Sequence, residues 1–114
     1  METTLKAPLT TVMLTLRVAK ENRREVLDIY DELSVLERSM TVKGAVDTWL
    51  AMAEDDETMV VFTRWTSPGA YAGWTHHPYR DEIIARLKPY LLSAPISTFF
   101  VPPDTKQAYL CTAE

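Results

Sequence analysis

The chain has 114 residues, 46% of them hydrophobic and 25% charged, proportions that suit one small globular domain with a single core. Its net charge of −4 comes with no basic cluster beyond Arg23-Arg24, which leaves phosphate backbones no footprint and excludes nucleic acid as an expected partner. The lone cysteine, Cys111, allows no intrachain disulfide, the first residues lack a secretory pattern, and no apolar run approaches the ~20 residues of a membrane span, so a cytoplasmic protein without membrane contact is expected.

Residues 1–9 read as an N-terminal extension, with Pro8 near its end. Thr10 to Val18 is rich in β-branched and apolar residues and predicts a first strand. Asn22 and Glu25 have the spacing of a capping box, and Val26, Ile29, Leu33, Leu36 and Met40 recur at helical intervals, flanked by Leu27 and Tyr30, which predicts one helix over 23–40. Gly44 follows, where a left-handed residue is often needed, and Ala45 to Ala53, with Trp49, reads as a second strand. The acidic run Glu54 to Glu57 is a solvated turn rather than a calcium loop, for it lacks alternating oxygen ligands and a glycine. It leads into a third strand, Thr58 to Trp65.

Ser67-Pro68 is a helix start, an N-cap hydroxyl followed by proline at the first helical position, and opens a short helix with Tyr71 and Trp74. A further helix begins at Pro78, has Ile83, Ile84, Leu87 and Leu91 as its apolar stripe and is bent or ended by Pro89; a last strand runs from Ile96 to Val101. The order β-α-β-β-α-β predicts an α+β, ferredoxin-like domain over 10–101, with a four-stranded antiparallel sheet and helices on one face.

On the third strand Val61, Thr63 and Trp65 alternate to one face and Val60, Phe62 and Arg64 to the other, so both faces carry bulk. A small protein rarely leaves such a face in water, which predicts a homodimer with the bare sheet faces packed together and Trp49 in the interface. Arg17 and Arg64 fall on that face and are expected to pair across the dimer, Asp47 being one acidic candidate. Residues 102–114 form a tail holding Tyr109, Leu110 and Cys111, which either adds to the partner's sheet edge or frays; Cys111 has no neighbour that would activate it.

The run Val60-Val61-Phe62-Thr63-Arg64-Trp65-Thr66-Ser67-Pro68-Gly69-Ala70-Tyr71, continuing through Trp74 to His76-His77-Pro78, resembles the signature of the antibiotic biosynthesis monooxygenase family. That signature is a strand ending in an aromatic and a Ser-containing turn, then a helix with an Ala-aromatic pair and a downstream His-Pro or Asp-Pro step. The resemblance implies a dimeric α/β barrel with one pocket per subunit between sheet and helices. It often implies a monooxygenase that oxidises phenols to quinones with neither metal nor flavin, O₂ being the co-substrate. Family members acting on aromatic polyketides have an asparagine where this chain has Val61, so one polar anchor is missing. The haem-degrading branch has an asparagine and a histidine whose positions fall near Leu14 and between Thr75 and His76, which argues against haem.

Trp65 should face the helices and line a pocket, its N–H holding a substrate oxygen; a plain core tryptophan is the equal alternative. Tyr71 and Trp74 share a helical face, Tyr71 as donor to a phenolate and Trp74 as pocket wall or helix packing. His76 and His77 are the only imidazoles, and one of them is the expected base, with surface capping the competing reading. Adjacent histidines without a carboxylate or thiol at a matching interval make no metal site. Val12, Leu14, Leu16, Val61, Ile83 and Leu87 would supply the apolar wall. The leading functional expectation is a cofactor-independent monooxygenase acting on a polycyclic phenol or hydroquinone in polyketide-type metabolism. A non-oxidative cyclase or isomerase, or a binding dimer whose pocket is filled by Met13, Met59 or Trp74, are the alternatives.

Overall fold

The computed structural model describes residues 9–101, so the extension before residue 9 and the tail 102–114, with its expected path to a partner and its Cys111, lie outside the described residues. The elements are β1 (Thr10–Arg17), α1 (Arg23–Glu32), α2 (Val35–Ser39), β2 (Ala45–Met52), β3 (Thr58–Trp65), α3 (Pro68–Thr75), α4 (Pro78–Leu87) and β4 (Ile96–Phe100), with short 3₁₀ turns before α1 and after α4. The strands form one antiparallel sheet in the order β2-β3-β1-β4. The expected ferredoxin-like α+β fold is the fold observed.

Alternation along the two central strands builds the core. Val12 and Leu16 of β1 and Met59, Val61 and Trp65 of β3 are buried under the helices, where they meet Val26, Ile29 and Tyr30 of α1, Tyr71 and Trp74 of α3, and Ile83 and Leu87 of α4. Met13 pairs with Phe62 in register and therefore lies on the opposite face, so it cannot fill a pocket under the helices.

Two local expectations, the span of the first helix and the cap at Asn22, are not met, while the end that Pro89 was expected to put to α4 is. The first helix does not run from 23 to 40. It stops at Glu32 and resumes at Val35, with Ser34 in the left-handed region at φ 50°. No glycine or proline marks this break. Instead the Tyr79 hydroxyl of α4 donates to the carbonyl of Leu33, capturing a group that the break releases from the helix ladder. Asn22 precedes α1 but makes no side-chain capping bond. It ends a 3₁₀ turn with φ −101° and ψ 1°, not the extended backbone that aims a cap at the helix. At the other end α4 stops at Leu87 and passes through Lys88–Tyr90 as a 3₁₀ turn, because Pro89 has no N–H to continue the ladder.

Ser67 accepts from the Ala70 N–H, with Pro68 at the first helical position, as its spacing predicts. Gly44 has φ +94°, and a Cβ there would meet the Ala70 Cβ at 2.6 Å. Gly44→Ala is expected to lower stability by roughly 1–3 kcal/mol, read as a lower urea midpoint at unchanged slope.

The uncovered face of the sheet carries Trp49 stacked on Phe62, with centroids 4.9 Å apart, and, on the edge strand, Ile96 and Phe100, both exposed. The arginines on this face, expected to pair across a dimer, find partners within the chain. The Arg64 guanidinium grips both carboxylate oxygens of its cross-strand neighbour Asp47, and Arg17 reaches Glu57 at 3.3 Å. Register explains this: Asp47 stands directly opposite Arg64, so the fork closes without a second subunit. That hydrogen bond holds the Asp47 carboxyl below the usual carboxylate range and raises Arg64.

Candidate active site

Between the sheet and the helices lies a cavity floored by Val12, Leu14 and Val61 and roofed by Tyr30 of α1, Val35 and Leu36 of α2, and Ile83 and Ile84 of α4. Trp74 and Tyr71 of α3 close one side, and Thr63, Ser39 and Arg80 bring polar groups to its wall. Its free volume is only ≈ 30 Å³, room for roughly one water. Leu36, Ile84 and Arg80 are half-buried, and Leu36 and Ile84 are the side chains whose rotation would admit a ring.

The polar groups are disposed unequally. The Ser39 hydroxyl is committed to the Leu36 carbonyl at 2.7 Å. The Trp65 indole N–H donates to Thr63 Oγ1 at 2.7 Å, which leaves the Thr63 O–H proton to point elsewhere. Tyr71 sits edge-on to Trp65 and to Phe99, with centroids 5.6 Å and 5.4 Å away, and its hydroxyl is 3.3 Å from Ser97 Oγ. Tyr30 is buried, and its hydroxyl has no hydrogen-bond partner among the described residues. Burial pushes its phenol far above the ordinary tyrosine range, with Arg80 pulling the other way. It is therefore a neutral donor at any working pH. The Arg80 guanidinium lies over the Tyr71 ring at 5.9 Å.

Of the residues expected at the site, Leu14, Val61, Tyr71, Trp74 and Ile83 line the cavity, as does Val12. Leu16 and Leu87 are fully buried but belong to the core beyond it, and Trp65 stands behind Thr63 with its N–H already used. The indole N–H expected to meet a substrate oxygen is thus engaged by Thr63, which itself lines the cavity. Met59 is also buried outside the lining, so of the residues suspected of filling the pocket only Trp74 narrows it.

The histidines are not at the cavity. His76 and His77 are exposed at the α3–α4 junction, and His77 caps α4, its Nδ1 accepting from the Tyr79 N–H at 3.1 Å. That cap holds the His77 ring beside Trp74, with centroids 5.9 Å apart and outside the cavity lining, while His76 ends α3. Neither histidine, one of which was expected to be the base, is among the residues that line the cavity. His76→Gln should leave turnover within about twofold of the parent, and His77→Ala should cost roughly 0.5–1 kcal/mol of stability in thermal unfolding with a similarly small effect on turnover.

Sequence reasoning missed Tyr30 and Arg80 as site residues. Both signals were present: Tyr30 lies four residues after Val26 on the apolar stripe, and Arg80 lies three and four residues before Ile83 and Ile84, on their face of the helix. Among the described residues no three His, Cys, Asp or Glu side chains gather where a metal ion could sit.

The model of the antibiotic biosynthesis monooxygenase family matches residues 10–86, which takes in β1 through most of α4. The chain belongs to this family. No curated protein matches it significantly, but solved structures do. Rv0793 from Mycobacterium tuberculosis superposes with a TM-score of 0.72 at 17% identity, over 87% of this chain and 99% of that one. A conserved protein from Methanosarcina mazei Go1 gives 0.72 at 16% identity, over 83% and 93%. SnoaB, a cofactor-independent oxygenase from Streptomyces nogalater solved as a point mutant, gives 0.66 at 17% identity, over 86% and 96%. At these identities the likeness establishes the shared fold. No helix among the described residues is long and apolar enough to cross a membrane.

Proposed function

We propose that this protein is a cofactor-independent monooxygenase, with O₂ as its only co-substrate, that oxidises a polycyclic phenol or hydroquinone and works as a homodimer. The observation that carries this reading is the cavity itself: a small, largely apolar space between sheet and helices whose lining includes Tyr30, Thr63, Tyr71 and Arg80. Its family and its structural likeness to a cofactor-independent oxygenase support the same class of chemistry.

The reaction asks little of the protein. An ionised, electron-rich ring passes one electron to O₂, the two radicals join as a carbon-bound peroxide anion, a proton from water makes it the hydroperoxide, and loss of water leaves a carbonyl. The protein excludes bulk water, orients the ring between aromatic walls and stabilises the charged oxygen through fixed donors. Trp74 and Tyr71 supply the walls, while Tyr30, Thr63 and Tyr71 supply hydroxyls. A ring system enters by displacing Leu36 and Ile84. The alternative of a cyclase or isomerase needs a base beside a carbon acid, and the cavity lining contains no imidazole or carboxylate. A phenol, being far more acidic, can ionise without one.

The test is turnover of a panel of anthrone- and naphthol-type phenols with no added cofactor, in air and under argon, followed by quinone absorbance. Quinone formation in air alone supports the proposal. Equal conversion under argon overturns it in favour of non-oxidative chemistry.

A further inference from the structure

The cavity wall holds one fixed positive charge and no negative one. Arg80 stands in the first turn of α4, and its guanidinium lies 5.9 Å from the Tyr71 ring centroid and close enough to Tyr30 to act on its phenol electrostatically. None of the ion pairs among the described residues involves Arg80. The titratable side chains facing it across the cavity are Tyr30 from α1 and Tyr71 from α3. β1, β3 and α2 present only aliphatic groups and the hydroxyls of Thr63 and Ser39. A guanidinium does not give up its proton, and when a ring replaces the water around it the remaining charge has no carboxylate to meet. The ligand that resolves this imbalance is an anion.

We propose that Arg80 ionises the bound substrate: the cavity takes a phenol or enol as its oxyanion, seated on the Arg80 guanidinium, and so needs no resident base. In this step the substrate O–H bond breaks, the electron pair stays on oxygen, and the proton passes to solvent water at the cavity mouth; nothing is oxidised or reduced. Tyr30, which has no hydrogen-bond partner among the described residues and is held neutral by burial, donates to the same oxyanion. The arrangement accounts for a site whose histidines face solvent, because a nearby cation lowers the pKa of an acid as effectively as a base removes its proton. This inference deepens the monooxygenase reading by assigning the ionised form of its substrate, and its test does not depend on oxygen.

The probe is 4-nitrophenol, whose phenolate is yellow and whose pKa lies close to neutrality, titrated against the full chain across the pH range. Bound 4-nitrophenol is expected to ionise with a pKa lower by about 1–2 than in free solution, which makes its phenolate bind roughly 10- to 100-fold more tightly than its phenol. Arg80→Gln should abolish that shift at unchanged circular dichroism and melting temperature, and Arg80→Lys should restore part of it. An unshifted or raised pKa, equal binding of the non-ionising 4-nitroanisole, an Arg80→Gln variant that behaves like the parent, or no saturable binding up to millimolar probe each overturn the proposal. A lowered bound pKa together with conversion of phenols under argon overturns the monooxygenase reading alone. Oxygen-dependent turnover with an unshifted bound pKa overturns the role of Arg80 alone.

Discussion

Phe62→Asp is expected to convert the protein from a species sedimenting at twice its 13.0 kDa chain mass to a monomer, with little loss of fold. Phe62 lies on the uncovered face of a central strand, stacked on Trp49, so in a single subunit the new carboxylate is wetted and its folding cost is small. Between two sheets it would be buried without a cation, because Arg64 is already held by Asp47. A buried unpaired charge costs about 3–5 kcal/mol, and two-fold symmetry places one from each subunit in the interface. At 1.4 kcal/mol per decade the dimer should weaken by at least about 10⁴-fold. Sedimentation equilibrium decides the matter. A parent protein that is monomeric at micromolar concentration, or a variant that remains dimeric, contradicts the assignment of this face.

The second large effect falls on stability, not assembly. Trp65 is the largest fully buried side chain and is in edge contact with Tyr71. Trp65→Ala should therefore cost roughly 3–5 kcal/mol, a large share of the ~5–15 kcal/mol that holds a domain of this size together. Lost activity in that variant says nothing about chemistry. Trp65→Phe is the informative change: it keeps most of the packing and removes the N–H donor to Thr63, at a cost of about 1–2 kcal/mol. Since the indole N–H is spent on Thr63, which lines the cavity, Thr63→Val should reproduce the effect of Trp65→Phe on turnover, and the double variant should be no worse than either single one. Additive losses in such a cycle would show that Trp65 touches the substrate itself.

The sheet was legible because its signals are local and repeated. Alternation along β3 assigned Val61, Thr63 and Trp65 to the helix side and Phe62 and Arg64 to the other, and the burial of each follows that assignment. Ser67-Pro68 and His77-Pro78 announced two helix starts for the same reason: a cap and its proline are adjacent in sequence. The break between α1 and α2 left no such mark, because Tyr79 captures the Leu33 carbonyl from 46 residues away.

The site divided along the same line. Positions on a periodic face, such as Leu14, Val61 and Ile83, could be placed at the cavity, while depth along that face could not, so Leu16 and Leu87 fell into the core. Residue chemistry was a poor guide at the histidines, since His77 is committed to capping α4 and His76 ends α3 outside the cavity lining. It was underused at Arg80, where a cation on an apolar helical face is the informative exception.

Oxygen labelling tests the central claim most directly. With a phenol of the panel turned over under ¹⁸O₂, and the product trapped before its carbonyl exchanges with water, one labelled oxygen per quinone is predicted, with the other recovered as labelled water. An unlabelled product, or one formed as fast without oxygen, would contradict the account and leave the cavity of Tyr30, Tyr71 and Arg80 to another reaction.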